Sequence, residues 1–197
     1  MFGEQRSICC VYTTVVFLVL CYDGVFKKGK FMKQGFTHES QDAETVSWYT
    51  PPSIFDLLNI EFDLDVCAPQ GGVPWIPAKN HYALPQDGLA LPWNGKVWCN
   101  PPYGKETPKW LHKMNTHRNG VALVFARTDT KWFHDYCTQA DALLFLKGRI
   151  QFVDGLQKTG GSGSTCGSAL IAYGVDCVQS LRKAKDKGFF VDNKLNN

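Results

Sequence analysis

Short apolar runs separated by polar, glycine- and proline-rich stretches organise the chain from about Trp48 onward. Runs of four to eight residues rich in Val, Ile, Phe and Trp read as buried strands, and apolar positions at i, i+3 and i+4 read as one face of a helix. Ser53–Asn59, with Ile54, Leu57 and Leu58 on one side, predicts a short helix. Phe62–Ala68 predicts a strand ending in small residues, and Pro69–Trp93 reads as irregular around an Asp87-Gly88 turn. Lys96–Cys99 is a short buried strand. Thr107–Asn115 is a helix with Pro108 in its first turn. Val121–Phe125 and Ala142–Leu146 are strands flanking a helix at Lys131–Cys137. Gly148–Phe152 reads as a hairpin arm, Thr159–Gly167 as a loop, and Ser168–Tyr173 as the last strand. Strands alternating with helices give an α/β fold, a mostly parallel sheet with an antiparallel hairpin towards the C-terminal end.

Composition adds little to this picture. A net charge of +3 over 197 residues is too small to argue for nucleic acid by itself. The eight cysteines fall beside apolar segments without a CxxC or a Cys/His pair at zinc spacing, which suits free thiols and points to no metal. The N-terminal end does change the picture. Ile8–Tyr22 is a mostly apolar stretch behind Arg6 that resembles a signal-peptide core or a short anchor. The expectation is that residues 1–31 are an upstream, non-native extension and that Met32 is the native start. A polar lead-in then covers 32–46, the working domain 47–180 and a charged tail 181–197. The chain would act in the cytoplasm, with no membrane contact unless the apolar stretch is a genuine anchor.

The candidate chemistry sits at Asn100-Pro101-Pro102-Tyr103, directly after the Lys96–Cys99 strand. Open α/β sheets bind ligands at the carboxyl ends of their strands. An aromatic exocyclic amine is a weak nucleophile because its lone pair is delocalised into the ring. Acceptors for both of its N–H groups draw the nitrogen toward tetrahedral geometry. The Asn100 side-chain oxygen and the Pro101 carbonyl can supply them, since proline has a fixed φ and no N–H of its own. Tyr103 offers a flat face for a base flipped out of a duplex. A plain turn leaving a strand is the competing reading of the same residues.

Further motifs follow in order: Trp48-Tyr49-Thr50-Pro51, Asp63-Leu64-Asp65-Val66-Cys67-Ala68, Asp87-Gly88-Leu89, Trp93, Val97 to Tyr103, Ala126 to Thr130 with Trp132-Phe133, and Gly148 to Phe152. With these the chain resembles the small phage DNA N-6-adenine methyltransferases of Dam type from about Trp48 to Gly174. The resemblance implies a Rossmann-like methyltransferase fold, S-adenosylmethionine as methyl donor, double-stranded DNA as partner, and adenine N6 as the methylated atom. It places Tyr49, Thr50 and Pro51 at the cofactor, with Thr50 holding the carboxylate of its methionine part. An N-cap is the structural alternative for Thr50. Asp65 looks like the acidic residue of the cofactor loop, with Cys67 and Ala68 small enough for close approach and Asp87 as a weaker contact. Val66 stands where the family pattern often has proline, and no compact Gly-x-Gly follows Asp65. Arg127, Thr128, Asp129 and Lys131 follow a strand end on the rim of Asn100, where they can meet DNA, and Arg149 can reach it from the hairpin. Cytosine N4 methylation, methylation of a protein glutamine amide, and a catalytically silent DNA-binding module are the other readings.

Overall fold

Residues 48–154, 164 and 166–194 are described by the computed structural model, so the readings made for residues 1–47 and most of the Thr159–Gly167 loop lie outside the described residues. The elements are β1 (Trp48–Tyr49), α1 (Pro52–Leu58), β2 (Phe62–Asp65), β3 (Ala78–His81), β4 (Val97–Cys99), α2 (Thr107–His117) and β5 (Gly120–Phe125). A π-helical turn (Phe133–Cys137), β6 (Ala142–Leu146), β7 (Val153–Asp154), β8 (Ser168–Tyr173), α3 (Val175–Lys183), a 3-10 turn (Lys185–Lys187) and β9 (Gly188–Asp192) complete them.

Seven strands form one mixed sheet in the order β3-β2-β4-β5-β8-β6-β9. The first four are mutually parallel. β8 then runs antiparallel between β5 and β6, and β9 closes the edge antiparallel to β6. Alternation along β5 sends Val121, Leu123 and Phe125 to one face and Ala122 and Val124 to the other. The first face packs on Ile54, Phe55 and Leu58 of α1 and on Cys177, Val178 and Leu181 of α3. The second packs on Trp110, Leu111 and Met114 of α2 and on Phe133 and Cys137. Covered on both faces, the central strands are continuously apolar, as parallel sheets require. Each fully buried Leu or Ile such as Leu123, Leu170 and Ile171 contributes about 1.5–3 kcal/mol.

Four parts of the sequence reading are corrected here. β2 ends at Asp65, so Val66–Ala68 already belong to the loop. The stretch expected to be irregular contains β3, a polar edge strand (Ala-Lys-Asn-His) with its side chains largely in solvent. Gly148–Phe152 forms no hairpin arm: β6 pairs with β8 and β9, and only the two residues of β7 pair, with β1. The chain from 181 onward carries the end of α3 and all of β9, so Ser168–Tyr173 is an interior strand rather than the last one.

Because β2, β4, β5 and β6 all run the same way, the loops at 66–68, 100–104, 126–131 and 147–151 leave from one edge of the sheet. β8 starts at that edge, with Ser168 opposite Phe125. Asp65, Cys67, Asn100 to Tyr103, Arg127 to Lys131 and Arg149 leave from that edge.

Candidate active site

Asn100 is the first residue past β4, and its backbone is held from the neighbouring strand. The Cys67 thiol donates to the Asn100 carbonyl at 3.0 Å, tying the loop after β2 to the loop after β4. Burial pushes the Cys67 thiol well up from its ordinary pKa, so it stays protonated as that donor. The Tyr103 hydroxyl lies 3.0 Å from Asn100 Oδ1 and 3.3 Å from the Leu123 carbonyl. Its ring stacks on Phe125 with centroids 3.9 Å apart and planes 13° apart. One face of Tyr103 is therefore covered by Phe125. Thr107 fixes the turn behind it: the buried hydroxyl donates to the Pro102 carbonyl and accepts from the Gly104 N–H, both at 3.0 Å. Among the described residues, nothing donates to the Pro101 carbonyl.

Asp65, the last residue of β2, is only 4% exposed. Its Oδ1 accepts the Cys67 N–H at 3.2 Å, and no cation pairs with it among the described residues. Burial pushes its carboxyl up to about 7, against the smaller downward pull of that hydrogen bond. Thr50 is buried too, and among the described residues its hydroxyl has no partner. It is not an N-cap: Pro51 occupies that position of α1, without a side-chain cap. The Thr50 carbonyl accepts from the Trp75 indole at 2.8 Å, and Trp75 lies against Tyr49. A buried carboxylate without a cation and a buried hydroxyl without a partner both incur desolvation. Both fit a ligand that brings an ammonium and hydrogen-bonding oxygens, as an amino-acid moiety does. Ala68 donates to the Tyr82 carbonyl at 2.9 Å, fixing the loop beyond Cys67 to the end of β3.

Asp87 is exposed, and its carboxylate accepts the Leu89 N–H at 2.8 Å, closing a turn. That turn is packed tightly. A Cβ on Gly88 would come within 2.0 Å of the Val66 carbonyl, so only glycine fits. Lys113 holds it from α2 by donating to the carbonyls of Gly88 and Leu89 at 3.0 and 2.8 Å and to that of Leu91. The ammonium lies 5.0 Å from the centre of the Trp93 ring, and burial lowers its pKa. Sequence reasoning missed Lys113 and Thr107. A threonine three residues after Gly104 at a helix start is a local signal, but only the fold brings Lys113 to the 88–91 carbonyls.

On the rim, Arg127, Thr128 and Asp129 are exposed after β5. The Arg127 guanidinium lies 6.0 Å from the Phe125 ring centre, so Arg127 and Tyr103 both border Phe125. The Thr128 carbonyl is 2.8 Å from His134 Nε2. Lys131 forms an i,i+4 ion pair with Asp135 at 2.7 Å, a surface pair of small net stability. Arg149 lines a groove of about 890 Å³ with Pro51, Lys147, Gln151 and Asp186. Thus Asn100, Tyr103, Cys67 and Asp65 form one connected set, whereas Thr50, Asp87 and Lys131 are each held by separate contacts and Arg149 lines the groove. Among the described residues, no group of three His, Cys, Asp or Glu could hold a metal, and no helix is long and apolar enough to cross a membrane.

An α/β sheet that presents an asparagine-led turn and a buried acid at its strand ends defines the class. Residues 37–176 match the family described as DNA N-6-adenine-methyltransferase (Dam), and the chain belongs to that family. It is also similar to the DNA N-6-adenine-methyltransferase of Haemophilus phage HP1 (strain HP1c1), 30% identical over 117 residues. The match covers 54% of this chain and 66% of that relative's length. No solved structure matches the chain.

Proposed function

We propose that this chain is an S-adenosylmethionine-dependent methyltransferase of Rossmann-like fold that methylates N6 of adenine in double-stranded DNA. The observation that carries the reading is Asn100 Oδ1, held by the Tyr103 hydroxyl at the end of a central parallel strand. The single antiparallel strand β8 between β5 and β6 supports the fold assignment. Family membership supports the substrate. The working domain would then run through β9 rather than stop at 180, and the enzyme would act on DNA in the host cytoplasm.

In this mechanism the target adenine leaves the duplex and stacks against the Tyr103 ring. An amide oxygen has two lone pairs, so Asn100 Oδ1 accepts one amine N–H while keeping the Tyr103 O–H. The Pro101 carbonyl accepts the other. Both hydrogen bonds strengthen as the nitrogen becomes tetrahedral and positively charged, which stabilises the transition state more than the ground state. Thr50 and Asp65 would hold the carboxylate end and a donor group of S-adenosylmethionine, which supplies the methyl group as an electrophile on sulfur. Arg127, Lys131 and Arg149 would meet phosphates, with Thr128 and Asp129 beside the substrate edge.

Thr50→Val tests the cofactor side. Removing a buried hydroxyl with no partner leaves the melting temperature unchanged or raises it. S-adenosylmethionine should bind about tenfold more weakly by calorimetry, the equivalent of one charged-group hydrogen bond. Unchanged affinity would remove Thr50 from the site.

Expression in a host lacking adenine methylation, followed by chromosome-wide detection of modified bases, tests the activity. N6-methyladenine at a short or relaxed site is expected, because among the described residues only the short stretches 69–77, 82–91 and 104–106 are left to read sequence. A chromosome without modified adenine contradicts the proposal.

A further inference from the structure

The basic side chains sort by position. Lys105, Arg127, Lys147, Arg149, Lys183 and Lys185 are exposed and have no carboxylate partner among the described residues. Every other Lys and Arg of the described residues is held by an acid or, for Lys113, by backbone carbonyls.

The cations without a carboxylate share one edge of the sheet. Lys105 lies in the loop after β4, Arg127 after β5, and Lys147 and Arg149 after β6. β8 runs opposite to β5 and β6, so α3, which follows its far end, returns the chain to this edge. Lys183 ends α3 and Lys185 opens the 3-10 turn, just before β9 begins opposite Leu146. The Lys147 N–H donates to the Lys187 carbonyl at 2.9 Å, which joins the two loops. Beside this row Glu106, Asp135 and Asp186 each pair with a lysine of their own. Asp129 is the acid left to offset it.

The other half of the edge differs. From residue 48 to 104 the cations are Lys79 and Lys96, bound to Asp63 and Asp176. That half carries Asp65 and the Asp87 turn instead. Like charges gathered in a row build a positive potential, and its complement is a polyanion. From β4 to β9 the row crosses four strand spacings, about 19 Å. At about 3.4 Å a step, that matches about six base pairs of duplex.

We infer that duplex DNA lies along the edge from β4 to β9, its phosphates on these cations, with the target base at one end of the contact. The inference rests on the adenine-methyltransferase reading, which puts the base at Asn100, and it adds a direction. The protein grips one flank of the adenine over about six base pairs and leaves the other flank free. The β2 and β3 half of the edge stays with the cofactor.

The test measures duplex binding against salt concentration and against flank length. Lys147→Gln and Lys185→Gln alter exposed side chains and should leave the melting temperature unchanged. Each should lower the slope of log affinity against log salt by about 0.9, the value of one phosphate contact, on any sequence. Lys79→Gln and Lys194→Gln, away from the row, should keep the wild-type slope. With hairpin-closed duplexes, cutting one flank of the methylated adenine to about two base pairs should weaken binding about tenfold, and cutting the other should leave it unchanged. Lys185→Gln should shrink that difference, because the lysine and the long flank make the same contact. Unchanged slopes in Lys147→Gln and Lys185→Gln would overturn the inference and leave the methyltransferase reading standing. Equal losses from the two flanks would do the same. If wild type shows the expected slopes yet methylates no adenine, that reading fails and the placing of the base with it.

Discussion

Asn100→Ala is expected to lower the rate of DNA methylation by about 10²–10³-fold, the usual cost of removing one preorganised group aimed at developing transition-state charge. The fold should survive the change. The Asn100 backbone is held through its carbonyl by Cys67, which the substitution leaves in place. The Tyr103 hydroxyl loses Asn100 Oδ1 but still has the Leu123 carbonyl at 3.3 Å, so the expected stability loss is about 1 kcal/mol. S-adenosylmethionine should bind the variant normally, because the residues assigned to it lie on other segments. Single-turnover methylation with saturating cofactor separates these effects. Activity within a few fold of wild type would mean that the amine is held elsewhere.

The second large effect concerns Asp65. Burial without a cation pushes its carboxyl up from the ordinary 3.8 to about 7 in the folded chain. A raised folded-state pKa contributes stability that is fully present below about pH 4 and lost as the pH rises through about 7. The loss is roughly 4 kcal/mol once the group is ionised. The ligand-free protein should therefore weaken across that window. A cofactor ammonium or hydroxyl that hydrogen-bonds the carboxylate favours the ionised form, so binding releases a proton. Affinity should then rise with pH up to about 7 and level off above it. Asp65→Asn should remove both dependences, giving a ligand-free protein more stable than wild type at pH 8 that binds S-adenosylmethionine at least tenfold more weakly. Thermal unfolding from pH 5 to 8 and calorimetry in buffers of different ionisation enthalpy measure the two. If Asp65→Asn binds as tightly as wild type, the acid is not a cofactor ligand.

The parts legible in the sequence were those whose information is local. Val97-Trp98-Cys99 is an apolar run cut off by Asn-Pro-Pro, and it forms the expected strand with the turn at its end. α1, α2 and β5 could be read because their apolar spacing matches one period. β3 was hidden because an edge strand with exposed Lys79, Asn80 and His81 carries no burial pattern. α3 and β9 were hidden by Arg182, Lys183, Lys185 and Lys187, whose charges obscure the buried face of Cys177, Val178 and Leu181.

The chemistry divides the same way. That Asn100 and Tyr103 lie together at the end of one strand was legible from four consecutive residues. That Tyr103 already leans on Phe125 and holds the Asn100 oxygen depends on β4 and β5 being neighbours, which no local pattern encodes. Thr50 gave only an ambiguous signal, because the same hydroxyl before a helix serves as a cap or as a ligand. Its burial without a partner, with Pro51 in the cap position, favours the ligand.

The most direct measurement incubates purified protein with unmethylated duplex DNA and S-adenosylmethionine labelled in its methyl group. Asn100→Ala is run alongside, and the digested nucleosides are identified by mass spectrometry. Labelled N6-methyladenosine in its deoxy form, formed by wild type and absent with the variant, is the predicted result. Label found only in N4-methylcytosine, or in no nucleoside while the protein still binds the cofactor, would contradict the account.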